Sequence, residues 1–149
     1  GEHSFPTRRS SDLIEQALER FGGTGTRVYA AIRAAQESTE QARGTAVRLH
    51  KACERHDQLW CGGVAICAGS GIAALRRSPR MGLLRRPFSE AMDKLVGAVR
   101  MGCSVEHAQK LSGAATGGVD TDGMVRATPA LPTPIWHAVM RHLAEHSNC

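Results

Sequence analysis

Residues 59–75 constrain this chain more than any other stretch. Between Asp57 and the pair Arg76-Arg77, the run Leu59-Trp60-Cys61-Gly62-Gly63-Val64-Ala65-Ile66-Cys67-Ala68-Gly69-Ser70-Gly71-Ile72-Ala73-Ala74-Leu75 carries no charge. As one helix it would rise about 25 Å, just short of a hydrocarbon core of about 30 Å. Trp60 at one end and two arginines at the other are interface anchors. The content of Gly, Ala and Ser suits closely packed membrane helices and suits a soluble helix poorly. The leading expectation is therefore a single membrane span with Leu59, Trp60, Val64, Ile66, Ile72 and Leu75 as its apolar body. Arg76, Arg77, Arg80, Arg85 and Arg86 follow it closely. Arg43, Arg48, Lys51 and Arg55 are spread more thinly before it, so the C-terminal side leans cytoplasmic.

Two other readings compete for the same residues. One is a buried soluble element, a strand over 64–67 followed by a helix over 72–77. The other is a phosphate-cradling loop, because Gly69-x-Gly71-x-x-Ala74 follows the apolar run Val64–Cys67. The acids about twenty residues on, Glu90 and Asp93, stand inside a helical pattern and do not close a second strand, so this fingerprint lacks its unit. Ser70 is not in a nucleophile elbow, since Ala68 and Ile72 stand where glycines are needed.

Upstream, Val28, Ile32, Ala35, Thr39, Ala42, Ala46, Leu49 and Cys53 follow a 4-3 spacing. That pattern predicts a continuous helix through most of 26–55, bent near Gly44 and self-associating through a seam of Val28, Ile32, Ala35, Leu49 and Cys53. A homo-oligomer through this helix is the expected partner. The seam is thin, because Ala, Thr and Cys fill sites where strong coiled coils place Leu or Ile. Alanine supplies 21 residues, and Leu, Ile, Val and Phe together only 28. Such a composition favours helix but buries little area.

The net charge of +5 comes from 16 Arg and 3 Lys against 14 acids. The basic residues are scattered, so nucleic acid is neither demanded nor excluded. Five cysteines without a C-x-x-C pair give neither a disulfide framework nor a zinc ribbon. Residues Phe5-Pro6-Thr7-Arg8-Arg9-Ser10-Ser11-Asp12-Leu13 resemble the conceptual translation of a short-read sequencing adapter. That resemblance implies that residues 1–13 are an artefact and that the true N-terminus is missing.

Residues 98–111 half-fit a helix-turn-helix, with Gly102 in the turn and Val105–Leu111 as the reading helix. Met101-Gly102, Ala108 and Gly117-Gly118-Val119 equally resemble a ubiquitin-associated domain. One string that half-fits two modules reads as a generic helical hairpin. His142, Glu145 and His146 form H-x-x-E-H, but no third ligand lies downstream. His50, Cys53, His56 and Cys61 have spacings that do not converge on one ion. No catalytic residue, metal site or cofactor is assigned, and no small-molecule substrate is indicated.

The expected architecture is all-α. Residues 14–56 form an amphipathic arm, 59–75 the apolar segment, 76–87 a basic linker and 88–146 a small helical region. The function class that fits this layout is an accessory or structural protein of bacterial or phage type, not an enzyme, placed at the inner membrane or in the cytoplasm. A soluble DNA-binding regulator using 98–111 and a fragment of a nucleotide-binding enzyme are the alternatives.

Overall fold

The computed structural model describes residues 5–34, 39–79, 82–112 and 119–147. In chain order the elements are α1 (Phe5–Phe21), β1 (Arg27–Arg33), α2 (Thr39–Arg55), β2 (Leu59–Ile66), a 3-10 helix (Gly69–Arg77), α3 (Arg86–Met101), α4 (Val105–Ser112), β3 (Met124–Ala127) and α5 (Thr133–Ser147). The three strands form one parallel sheet in the order β1-β2-β3. The protein is mixed α/β, which corrects the all-α expectation.

The apolar run of 59–75 is the centre of this fold. A central strand of a parallel sheet is buried on both faces, so it reads as a continuous apolar stretch rather than an alternating one. Val64, on one face, packs with Val125, Ala127, Phe88, Leu95 and Trp136; Ala65, on the other, packs with Cys67, Met124, Ala42 and Ala46. The 17 residues are thus a strand and a short 3-10 helix end to end. No helix among the described residues is long and apolar enough to cross a membrane, which overturns the single-pass span assigned to Leu59, Trp60, Val64, Ile66, Ile72 and Leu75.

Two glycines make the central strand possible. Partners run Val28↔Trp60 and then Ala30↔Gly63, so Cys61 and Gly62 together stand opposite Tyr29 as a bulge. Gly62 takes a positive φ of 83°, and a Cβ there would strike the Gly123 carbonyl. A Cβ on Gly63 would strike the Ala30 carbonyl across the ladder.

The predicted continuous helix 26–55 is also corrected. Its first part is β1, Arg-Val-Tyr-Ala-Ala-Ile-Arg, and only Thr39–Arg55 is helical. Val28 and Ile32 are four apart, a spacing that satisfies a heptad and a two-residue alternation alike. The β-branched and aromatic side chains of Val28, Tyr29 and Ile32 tip the balance to strand. Leu49 and Cys53 do lie on α2, and Ala35 falls outside the described residues. Helix α2 ends at Arg55 and is closed off by Asp57, whose φ of 53° is left-handed, with the Gln58 N–H returning to the Cys53 carbonyl at 2.9 Å.

Helix α1 is held by its second half. Arg55 donates to Glu15 from Nε at 2.9 Å and from a terminal nitrogen at 2.7 Å. The buried Gln58 amide donates to the Leu18 and Gly22 carbonyls. Leu13, the last residue of the adapter-like string, is 64% exposed.

Helix α2 covers one face of the sheet, and α3 and α4 cover the other. Both strand-to-strand steps move the same way across the sheet, so the two connections have opposite hand, despite the strong preference for right-handed crossovers. Helix α5 closes the α3 side by packing on the 3-10 helix.

Candidate functional site at the carboxyl edge of the sheet

In a parallel sheet every strand delivers its C-terminal end to one edge, and ligands of open α/β sheets bind outside that edge. Here the edge is built from Ala34, Cys67 to Gly69, and Thr128. It is knitted by the Ala34 N–H to the Ile66 carbonyl at 3.0 Å and the Cys67 N–H to the Ala127 carbonyl at 2.9 Å.

The glycine-containing turn after β2 was the sequence candidate for a phosphate. The structure supplies a strand before Gly69 and a helical turn after it, so the local context is better than the sequence suggested. The turn is nevertheless covered. Trp136 of α5 is 1% exposed, and its indole N–H points at the Ala68 carbonyl at 3.4 Å. The following helix is 3-10, which orders its N–H groups less well than an α-helix.

Beside it lies an open groove of about 510 Å³ between the N-terminal half of α3 and the end of β3. Its lining includes Arg86, Glu90 and Lys94 from α3, and Arg126 and Thr128 from β3 and its exit. Leu83, Pro87, Ala91, Pro129 and Ala130 give it an apolar wall. Pro87 in the first turn starts α3, and the Gly82 and Arg85 carbonyls already take the N–H groups of Arg86, Phe88 and Ser89. Any anion here is therefore held by side chains rather than by helix N–H groups.

Charge in the groove is unbalanced. Arg86 is tied to Glu90 at 2.7 Å. Among the described residues no ion pair ties Lys94 to a carboxylate; Arg126, paired with Ala65, sends its side chain to the α2 face and borders the groove with its backbone. Arg126 also lies close enough to the buried Cys67 thiol to offset part of the rise that burial causes in its pKa. The strand edge adds donors. Gly123 and Ala127 turn their carbonyls to β2, while Met124 gives its carbonyl to Asp120 on the other side. By that alternation the backbone groups of Arg126 and Thr128 point away from β2, toward the groove.

The sequence candidates are spread over different elements. Val64 and Leu75 are buried, Trp60, Ile66 and Ile72 half-buried, and Leu59 exposed, all as parts of β2 and the 3-10 helix. The 98–111 hairpin is real: Gly102 caps α3 at φ 66°, and Ser104 Oγ accepts the His107 N–H at 3.1 Å. Its second helix buries Val105, Ala108 and Gln109, and Lys110 pairs with Glu106 on the outside. That leaves little to read a groove of DNA. The His142 and His146 rings lie with centroids 4.1 Å apart and tilted by 38°. Among the described residues no group of three or more His, Cys, Asp or Glu could hold a metal.

A polar cluster that the sequence did not suggest sits at the opposite edge. His50 lies 3.4 Å from Asp122 and 3.5 Å from Glu54, stacked on Trp60, whose indole N–H donates to the Asp122 carbonyl at 2.7 Å. It ties α2 to the turn before β3 and presents no nucleophile. Arg126 and Lys94 were likewise missed. Neither belongs to a spaced motif, and only the packing of α3 against β3 sets Lys94 beside the backbone of Arg126. Compared with protein-family models, curated proteins and solved structures, the chain matches none of them.

Proposed function

We propose that the chain binds a small phosphorylated ligand in the groove at the carboxyl end of β3, as part of a nucleotide-handling or related enzyme. The observation that carries this reading is the unneutralised Lys94, with Arg86 and the outward backbone of Arg126 and Thr128 beside it, in an apolar-walled groove at the ligand-binding edge of a parallel sheet. The groove volume falls within the usual range for small-molecule sites. In this reading Lys94 gives the phosphate a mobile point charge, and the outward N–H groups of Arg126 and Thr128 give it fixed donors. Arg86, oriented by Glu90, closes the outer side. Pro87, Ala91, Pro129 and Ala130 receive the uncharged body of the ligand.

Titration calorimetry with inorganic phosphate and adenosine monophosphate tests the proposal. Both are expected to bind, with affinity falling as salt rises. Lys94→Ala and Arg86→Ala are each expected to weaken binding about tenfold or more, the usual scale for a lost charge-assisted hydrogen bond. Absence of binding, or affinity unchanged in the double variant, would overturn the assignment.

A further inference from the structure

Another face of α3 borders a separate depression of about 410 Å³, between that helix and the 3-10 helix. Its α3 wall is made by residues 85, 88, 89, 92, 93 and 96. At about 100° per residue these positions fall within an arc of about 140°, with Arg85, Ser89, Met92 and Val96 along its middle. Side chains at the middle of that arc point into the depression. Leu75 of the 3-10 helix and Phe88 of α3, both buried, give it an apolar floor.

One end of the depression is cationic. The Arg85 side chain crosses from α3 to the end of the 3-10 helix, where one terminal nitrogen reaches the Arg76 and Ser78 carbonyls at 3.3 Å each. Those two contacts fix the guanidinium. Its Nε and its other terminal nitrogen make no hydrogen bond among the described residues, and no ion pair among them holds Arg85 or the exposed Arg76 beside it. Further along α3, Met92 and Val96 offer only apolar surface. Ile72 does the same, more than a turn back from Arg76 along the 3-10 helix.

Ser89 stands between, one turn beyond Arg85. It is 8% exposed, and its N–H goes to the Arg85 carbonyl at 3.0 Å. Its hydroxyl has no hydrogen-bond partner among the described residues. A serine inside a helix commonly bonds back to the carbonyl of the preceding turn, and a buried hydroxyl left unmatched is costly. This one is instead aimed into the depression, a turn away from a fixed guanidinium. Asp93, exposed on the rim one turn further on, disfavours negative charge toward the apolar end.

From this we infer that the depression binds a monocarboxylate with an unbranched apolar tail. The carboxylate accepts from the Ser89 hydroxyl and from the Arg85 nitrogens that the carbonyls leave unengaged, both charge-assisted bonds. The tail runs over Phe88 and Leu75 toward Met92, Val96 and Ile72. An extended eight-carbon acid spans about 10 Å, within the roughly 16 Å from Arg85 to Val96 at 1.5 Å per residue. The site shares no residue with the groove beside Lys94, so it stands independently of the phosphate reading.

Calorimetry on the full chain with octanoate, octanamide and suberate is the test. Octanoate is expected to bind, more weakly as salt rises. Octanamide lacks the charge, and suberate sets a second carboxylate near Asp93; each is expected to bind at least about tenfold more weakly. Ser89→Ala removes only the hydroxyl and is expected to cost about tenfold, the scale of a lost hydrogen bond to a charged group. Val96→Glu, at a position 45% exposed, is expected to cost as much by setting a charge beside the tail. Alanine favours helix and Val96 is open to solvent, so both variants are expected to fold, which melting curves check. Excess inorganic phosphate at constant ionic strength is expected to leave octanoate binding as it is. No octanoate binding to the parent chain, or octanamide or suberate binding as well as octanoate, overturns the inference. So does an octanoate affinity unchanged by Ser89→Ala or by Val96→Glu. Displacement of octanoate by phosphate overturns the placement and moves the carboxylate to the groove beside Lys94.

Discussion

Trp136→Ala is the sharpest test of how the carboxyl edge is held together. Trp136 is the largest fully buried side chain, and it fixes α5 against the turn after β2. Removing a buried Trp side chain costs about 3–5 kcal/mol through lost transfer energy and the cavity left behind. The indole hydrogen bond to Ala68 is long at 3.4 Å and adds less than an ordinary bond. The Phe88 ring, 6.0 Å away and tilted 49°, loses an aromatic partner worth about 0.5–1.5 kcal/mol beyond its area. The sum centres on about 4 kcal/mol, a large share of the 5–15 kcal/mol that holds a typical domain. At this chain length that corresponds to about 8–16 °C in melting temperature. Urea unfolding followed by far-ultraviolet circular dichroism measures it. Ile135→Ala, one residue earlier and 50% exposed, is the internal control, expected within about 0.5 kcal/mol of the parent. If the two variants lose similar stability, α5 is not docked as described and the closed edge is wrong.

Two further predictions concern other parts of the fold. Gly63→Ala is expected to cost about 2 kcal/mol or more, since its methyl has only the Ala30 backbone to push against. Gly97→Ala is expected to raise stability by about 0.5–1 kcal/mol; thermal melts that rank the two the other way would break the β1–β2 register. Burial raises the Cys53 and Cys67 thiols above their ordinary range. Unfolded thiols ionise from about pH 8.5 while the folded ones keep their protons, so stability declines as pH rises from there through the raised values. The urea midpoint should fall on the alkaline side, and Cys53→Ala with Cys67→Ala should flatten that decline. An equally steep decline in the double variant would assign the alkaline loss to other groups.

Local features of the chain were readable to different depths. The α3–α4 hairpin was legible because Gly102 and Ser104 end one helix and start the next by local chemistry alone. The α5 start at Thr133-Pro134 and its face of Trp136 and Met140 were legible for the same reason. The membrane-span reading of 59–75 went wrong because apolar content without alternation does not separate a lipid-facing helix from a strand buried on both sides. Only its partners decide, and Ala30, Val125 and Met124 lie far away in sequence. The buried-strand alternative over 64–67 had the right idea but was too short, missing the half that begins at Leu59. Strand β1 was hidden by the coincidence that Val28 and Ile32 fit two periods. The groove was invisible for a deeper reason. Arg86 read as one more charge in a basic linker, and Lys94 and Arg126 as isolated ones. The place of Arg86 and Lys94 beside the β3 edge follows from a packing no spacing rule encodes.

The strand order also sets a timetable. Strand β1, helix α2 and strand β2 are contiguous in the chain, so this unit can close over a short loop and gain its ladder early. Strand β3 adds its backbone bonds to β2 only after the whole stretch from Cys67 to Gly123 has been gathered, and the entropy of closing that loop precedes any reward. Until then one side of β2 stands unpaired, with Val64 and Ile66 uncovered, a sticky template for any other extended segment. Crowded refolding therefore has its hazard in that interval, and the arrival of Trp136 on Ala68, visible as a late change in tryptophan emission, marks its end.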